Sequence, residues 1–344
     1  MFHRNSPARA RATDASSHPH VVRETDVEDR GHFSARTYAN DAGRRNYKLY
    51  VPSGYTGAPL PLIVMLHGCT QDADDFSAGT RMNTLAEQHG CLVAYPIQPR
   101  RANPSRCWNW FKPSDQQRER GEPALIAGIT RYVMGSHGVD RARVYVAGLS
   151  AGGAMAAVMI HTYPELYAAA GIHSGLPYRC AHDLPSALAA MKGGKQARRA
   201  PFANGNDRST APKRPLIVFH GDADATVHPS NGIELLREFG PSTPPLAEAL
   251  WSQAGGRLCT RQWLTAVNGV EAEYWIIHGA SHAWSGGSVG GTYTDASGPD
   301  ASAEMVRFFL AHPQHQQLWG PRFKVEPHTA GMRTDGDRPP RHRR

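Results

Sequence analysis

Short, uninterrupted apolar runs that stop at glycine or proline constrain this chain more than any other feature. Leu62-Ile63-Val64-Met65-Leu66 ends at His67-Gly68. A run that is apolar at every position belongs to a strand covered on both faces, because a half-exposed strand alternates apolar and polar residues. Tyr47–Val51, Cys91–Tyr95, Val144–Ala147, Ala168–Ile172, Leu216–Phe219 and Ala272–Ile277 follow the same grammar, each closed nearby by glycine, proline or serine. Between them lie stretches of helical character at Arg81–Gln88, Pro123–Met134, Ala151–His161, Asn231–Phe239 and Ala301–Ala311. Strands alternating with helices predict a mostly parallel central sheet covered on both sides, a three-layer α/β fold. Sites in such folds lie outside the carboxyl ends of the strands.

With 344 residues, 40% of them hydrophobic, the chain is long enough for one large core. Residues 1–36 read as a polar, disordered extension, 37–312 as the folded α/β domain, and 313–344 as a basic, disordered tail. The net charge of +8 raises nucleic acid as a partner, but its distribution argues against one. Lys192–Arg214 carries seven Lys/Arg against Asp207, and Pro313–Arg344 seven against three acids, a net +6 and +4 that leave the remainder about neutral. The charge thus sits on a loop and a tail, and no nucleic-acid partner is expected. No apolar run reaches the ~18 residues of a membrane span, and the first twenty residues lack the apolar stretch of a secretory signal. The five cysteines lack the paired spacing of a zinc site, so no metal or cofactor is expected.

Chemistry concentrates at three of the strand ends. Gly148-Leu149-Ser150-Ala151-Gly152 joins the run Val144–Ala147 to a helix-forming segment. A sharp strand-to-helix turn of this kind presents a serine as nucleophile and demands small neighbours. The serine needs a base, and the base needs an acid to fix its tautomer; both are expected downstream in the order acid, then histidine. His220-Gly221-Asp222-Ala223-Asp224 follows one strand and His278-Gly279-Ala280-Ser281-His282 another. Asp224 is favoured over Asp222, which suits a local turn, and His282 over His278, which continues its strand. For His67, His173 and His220, structural hydrogen bonding is the expected role. The oxyanion hole calls for two backbone donors, assigned to Ala151, after the nucleophile, and Cys69, in the loop after Leu62–Leu66.

The motifs LHGCTQ (Leu66–Gln71), CWNWF (Cys107–Phe111), GLSAGGAMA (Gly148–Ala156), HSGLPY (His173–Tyr178), the GxxDxxV segment ending at Val227 and GxxHxW ending at Trp284 occur in order. Together they resemble the polyhydroxybutyrate depolymerase family of esterases, which also holds feruloyl and acetylxylan esterases. The resemblance runs from about Tyr47 to Leu310. It implies an α/β-hydrolase fold, metal-independent ester hydrolysis through an acyl-enzyme, and nucleophile, acid and base on Ser150, Asp224 and His282. It also implies export, since members are commonly secreted, although no signal is visible here and a cytoplasmic location is the alternative. The substrate is expected to be a hydroxyalkanoate oligomer or polymer, or a feruloyl or acetylxylan ester. A non-catalytic binding protein on this fold is the rival of another class, and it would be expected to lack a triad member. Trp108, Trp110 and Trp284 are candidates for an apolar substrate wall or for packing, and Gln71 for orienting a carbonyl or tying down its loop. Cys69 and Cys107, both in motifs near the site, are the candidate disulfide pair.

Overall fold

The computed structural model describes residues 30–193, 213–239, 246–251, 256–266 and 269–314. The strands are β1 (His32–Asn40), β2 (Gly43–Val51), β3 (Leu60–Leu66), β4 (Leu92–Pro96), β5 (Val139–Leu149), β6 (Ala169–His173), β7 (Leu216–Gly221), β8 (Leu246–Trp251), β9 (Leu258–Thr265), β10 (Glu271–Ile277), and the short β11 (Trp284–Ser285) and β12 (Thr294–Asp295). The helices are α1 (Ala73–Thr80), α2 (Met82–His89), α3 (Gly121–Ser136), α4 (Ala151–Thr162), α5 (Leu184–Met191), α6 (Ser230–Phe239) and α7 (Ala301–Ala311).

Among the described residues, ten strands form one sheet in the order β1-β2-β4-β3-β5-β6-β7-β10-β9-β8. From β4 to β10 every neighbouring pair is parallel, while β1, β2, β9 and β8 join antiparallel at the two ends. On β3, Leu62, Val64 and Leu66 pack with α3 and α4, and the alternate residues Ile63 and Met65 pack with α2 and α7. The two-residue period of a strand sends successive side chains to opposite faces, so helices on both sides turn the unbroken apolar runs into core.

The centre of the sheet fixes the site. Helix α4 is buried along almost its whole length, and its first turn comes so close to the end of β3 that a Cβ on Gly152 would stand 1.9 Å from the carbonyl oxygen of Leu66. A Cβ on Gly148 would in turn strike the Gly152 backbone at 2.4 Å. Both glycines are therefore required by close approach rather than by an unusual backbone angle.

Differences from the sequence reading fall where one face meets solvent. The domain boundary expected after residue 36 lies inside β1, which begins at His32 and pairs residue by residue with β2. Its alternately half-buried side chains produce no apolar run. Strands β8 and β9 and helices α1 and α5 are further elements that the sequence reading did not name. The basic stretch Lys192–Arg214 for the most part, the tail from residue 315, and residues 1–29 lie outside the described residues. No described helix is long and apolar enough to cross a membrane.

Candidate active site

Ser150 stands between β5 and α4 with φ 58° and ψ −118°, a left-handed conformation that a β-carbon disfavours. Its N–H donates to the carbonyl of His173 at the end of β6 (2.9 Å), and its own carbonyl accepts from Ala154 (2.9 Å). The turn is thereby held to the neighbouring strand and to the helix that follows. Ala151 is the first residue of α4, where N–H groups have no partner within the helix. Neither Ala151 nor Cys69 uses its N–H in a backbone hydrogen bond among the described residues. Two free donors therefore stand at the ends of adjacent strands, β5 and β3.

Beyond β7, Asp224 is fully buried and directs its two oxygens to different tasks. Oδ1 accepts from the N–H groups of Thr226 (2.9 Å) and Val227 (2.8 Å). Oδ2 accepts from Nδ1 of His282 (2.7 Å), which selects the tautomer of the neutral ring that carries its proton on Nδ1 and turns Nε2 into the acceptor. Burial opposes ionisation of Asp224, but the hydrogen bonds from His282 and Val227 outweigh it and hold the carboxyl below its ordinary 3.8. Asp222 takes the other histidine: Oδ2 accepts from His278 Nδ1 (2.8 Å) and Oδ1 from the N–H of Gly279 (2.6 Å). Arg257 secures the same stretch, donating to the His278 carbonyl (3.2 Å) and pairing with Asp295 (3.1 Å).

His173 joins the two halves of the site. Its carbonyl receives the Ser150 N–H, while its Nε2 accepts from the backbone of Ser285 (3.0 Å), three residues beyond His282. Its ring stacks between Phe219 (5.7 Å) and Trp284 (5.2 Å). Complete burial, with His220 and His282 nearby, pushes its pKa down to about 3, so it stays a neutral acceptor. His67 is similarly buried and lowered to about 4; its Nε2 accepts from Gln98 N and its Nδ1 donates to Gly68 O. His220 donates from Nε2 to the carbonyl of Val227 (2.8 Å), with Asp224 Oδ2 at 3.6 Å. All three carry the structural hydrogen bonds expected of them.

For the tryptophans the sequence left a substrate wall and packing both open. Trp108, Trp110 and Trp284 are 0%, 5% and 1% exposed, and this burial favours packing over an indole wall. Trp108 donates to the His67 carbonyl (3.1 Å), and Trp284 donates to Ser302 (3.0 Å) while meeting Phe76 edge-on. The indoles of Trp108 and Trp284 each have a packing surface and a donor satisfied inside the protein, and Trp110 packs edge-on against Phe111. Gln71 is also buried: its Oε1 accepts from Gly68 N (2.9 Å) and its Nε2 donates to Thr292 O (3.0 Å), so it ties down the loop that carries Cys69. Cys69 and Cys107 are bridged, with Cα atoms 4.2 Å apart. The segment from Cys107 is anchored further by buried Glu122, which accepts from Asn109 N (2.8 Å) and Nδ2 (2.7 Å). Ser150 Oγ makes no hydrogen bond among the described residues. Serine–base contacts are often long before substrate arrives.

The sequence profile described as "Esterase PHB depolymerase" matches residues 45–241, more than half of the chain. The chain belongs to the polyhydroxybutyrate depolymerase family of esterases. That match contains Ser150 and Asp224 and ends before His282. Among curated relatives, poly(3-hydroxyalkanoate) depolymerase C of Paucimonas lemoignei is 36% identical over 206 residues, 59% of this chain and 49% of the relative. Feruloyl esterase B of Neurospora crassa is 34% identical over 55% of this chain and 67% of its own length. A probable acetylxylan esterase A of Aspergillus fumigatus is 28% identical over 58% and 56%. The chain thus spans about half to two thirds of the length of these relatives. An acetyl xylan esterase structure from Aspergillus awamori superimposes with a TM-score of 0.60 at 21% identity, covering 80% of this chain and 98% of the other. The architecture is the α/β-hydrolase fold of this esterase family.

Proposed function

We propose that this esterase uses Ser150 as nucleophile, His282 as general base and Asp224 as the acid that orients it. The observation that carries the reading is the 2.7 Å hydrogen bond from His282 Nδ1 to buried Asp224. It makes Nε2 the acceptor nitrogen of the neutral ring, on a loop tied through His173 to the strained Ser150 turn. In the first step Nε2 takes the hydroxyl proton as Oγ bonds to the ester carbonyl carbon. The N–H groups of Cys69 and Ala151 receive the developing oxyanion. The imidazolium then protonates the leaving alcohol, and water, deprotonated by the same histidine, releases the acid and restores Ser150. No step requires a cofactor.

Hydroxybutyrate oligomers and short-chain esters are the proposed substrates, on the strength of the 36% identical hydroxyalkanoate depolymerase. Feruloyl and acetylxylan esters are the second reading, supported by relatives at 34% and 28% identity. A panel of nitrophenyl butyrate, hydroxybutyrate trimer, methyl ferulate and acetylated xylan separates them by kcat/KM. Ser150→Ala is expected to reduce turnover of the best of these by several orders of magnitude while the fold is kept. Retention of about a tenth of the activity by the folded variant defeats the nucleophile assignment. The Cys69–Cys107 bridge favours an oxidising compartment and hence export. Recovery of the bridged protein from culture medium is the check; a reduced cytoplasmic pool refutes it.

A further inference from the structure

With the tryptophans buried, any aromatic contact to substrate has to come from another residue. Among the described residues only a few large apolar side chains are exposed, and Tyr293, 46% exposed, stands out by its attachments. Its hydroxyl lies 3.3 Å from Thr70 Oγ1, next to Cys69 in the oxyanion loop. Its carbonyl accepts the N–H of Trp284 (2.6 Å), two residues from His282. The residue is thus tied by its hydroxyl to the loop that carries the proposed oxyanion donor and by its backbone to the loop that carries the proposed base.

The backbone at Tyr293 is strained, with φ 53°. Glycine adopts this conformation without cost, and the preceding loop uses glycine freely at Gly286, Gly287, Gly290 and Gly291. Gly286 in the same loop meets a positive φ of 68° with glycine, whereas Tyr293 keeps a side chain there, which points to a use for that side chain. Its immediate neighbour is clamped: Thr292 donates from N (2.8 Å) and Oγ1 (2.6 Å) to Asp75, and its carbonyl accepts from Gln71 (3.0 Å). Those bonds, with the Trp284 N–H on the other side, keep the strained residue in place rather than letting it relax.

We propose that Tyr293 is a specificity-determining residue, its half-exposed ring packing against the apolar part of the ester beyond the reacting carbonyl. The inference rests on the active-site reading above. Tyr293→Gly is the informative variant, because it removes the ring and relieves the backbone at once. KM for hydroxybutyrate trimer is expected to rise on the order of five-fold, with KM for methyl acetate, too small to reach the ring, within about two-fold of wild type. The thermal midpoint is expected to be unchanged or higher, and Tyr293→Phe to retain the wild-type KM for the trimer. An equal change in KM for both esters, or none for either, overturns the proposal. So does a lower midpoint accompanied by equal loss of kcat on both, which marks the ring as structural. Ser150→Ala measured alongside separates the two failures: if it remains active the site itself is wrong, and if it is inactive while Tyr293→Gly matches wild type only the role of Tyr293 is wrong.

Discussion

Asp222 and Asp224 stand two residues apart on one loop, and each holds a histidine of the loop that follows β10. The outer pair, Asp222–His278, spans 2.8 Å with side chains 41% and 36% exposed; the inner pair, Asp224–His282, spans 2.7 Å with side chains 0% and 11% exposed. In the outer pair His278 has both ring nitrogens occupied, Nδ1 by Asp222 and Nε2 by the Thr260 hydroxyl (2.9 Å). In the inner pair Nδ1 of His282 bonds Asp224, and its Nε2 has no hydrogen-bond partner among the described residues and is open to take a proton. Equal bond length therefore says little about role. What distinguishes a pair able to act as acid and base from one that braces a loop is burial of the carboxylate and a ring nitrogen with nothing to do.

The sharpest way to break this contrast is to remove each histidine. His282→Ala is expected to lower kcat/KM on nitrophenyl butyrate by on the order of 10⁵, and His278→Ala by less than about ten-fold. Comparable losses from the two would show that the choice between the pairs is wrong. Next in size is the acid. Asp224→Asn is expected to cost on the order of 10⁴ in kcat, because an amide selects the wrong tautomer of His282. Asp222→Asn, which leaves that tautomer alone, is expected to cost only a few-fold through loosening of the Gly279 turn. A reversed order of the two asparagine variants assigns the catalytic role to the outer pair.

The smallest expected effect concerns acid stability. Burial opposes ionisation at both aspartates, yet hydrogen bonds from the paired histidine and from backbone N–H groups win and lower both carboxyls below 3.8. A carboxyl whose folded value lies below its unfolded value contributes stability that is complete above the unfolded value and is lost as pH falls through the folded one. Unfolding midpoints in urea should therefore decline as pH falls below about 4, and Asp222→Asn should make that decline shallower. An unaltered decline in the variant would mean that the outer pair contributes nothing to it.

Central strands were legible because burial on both faces leaves an apolar residue at every position, as in Leu62–Leu66. Strands β1 and β9 were not, since HFSARTYAN and LCTRQWLT meet solvent along part of their length and carry charge within the strand. The Ser150 turn could be read locally, because the same glycines that permit close contact with the end of β3 are neighbours in sequence. The tryptophans could not. Indole serves equally as a wall or as packing, and only the layers around Trp108 and Trp284 decide which.

The chain's own order of residues determined that a serine turn, an acidic loop and a histidine loop would all arrive at one edge of a parallel sheet, because each follows a strand and parallel strands end on the same side. It also set the candidates at each position, since few residue types can serve as nucleophile, acid or base. Which aspartate meets which histidine, and which aromatic ring stays open to solvent, was decided by tertiary structure alone. Those outcomes depend on burial, on partners 56 to 223 residues away in the chain, and on one strained tyrosine fixed by hydrogen bonds from two separate loops. Residue spacing carries none of that information, because it records distance along the chain and not through space.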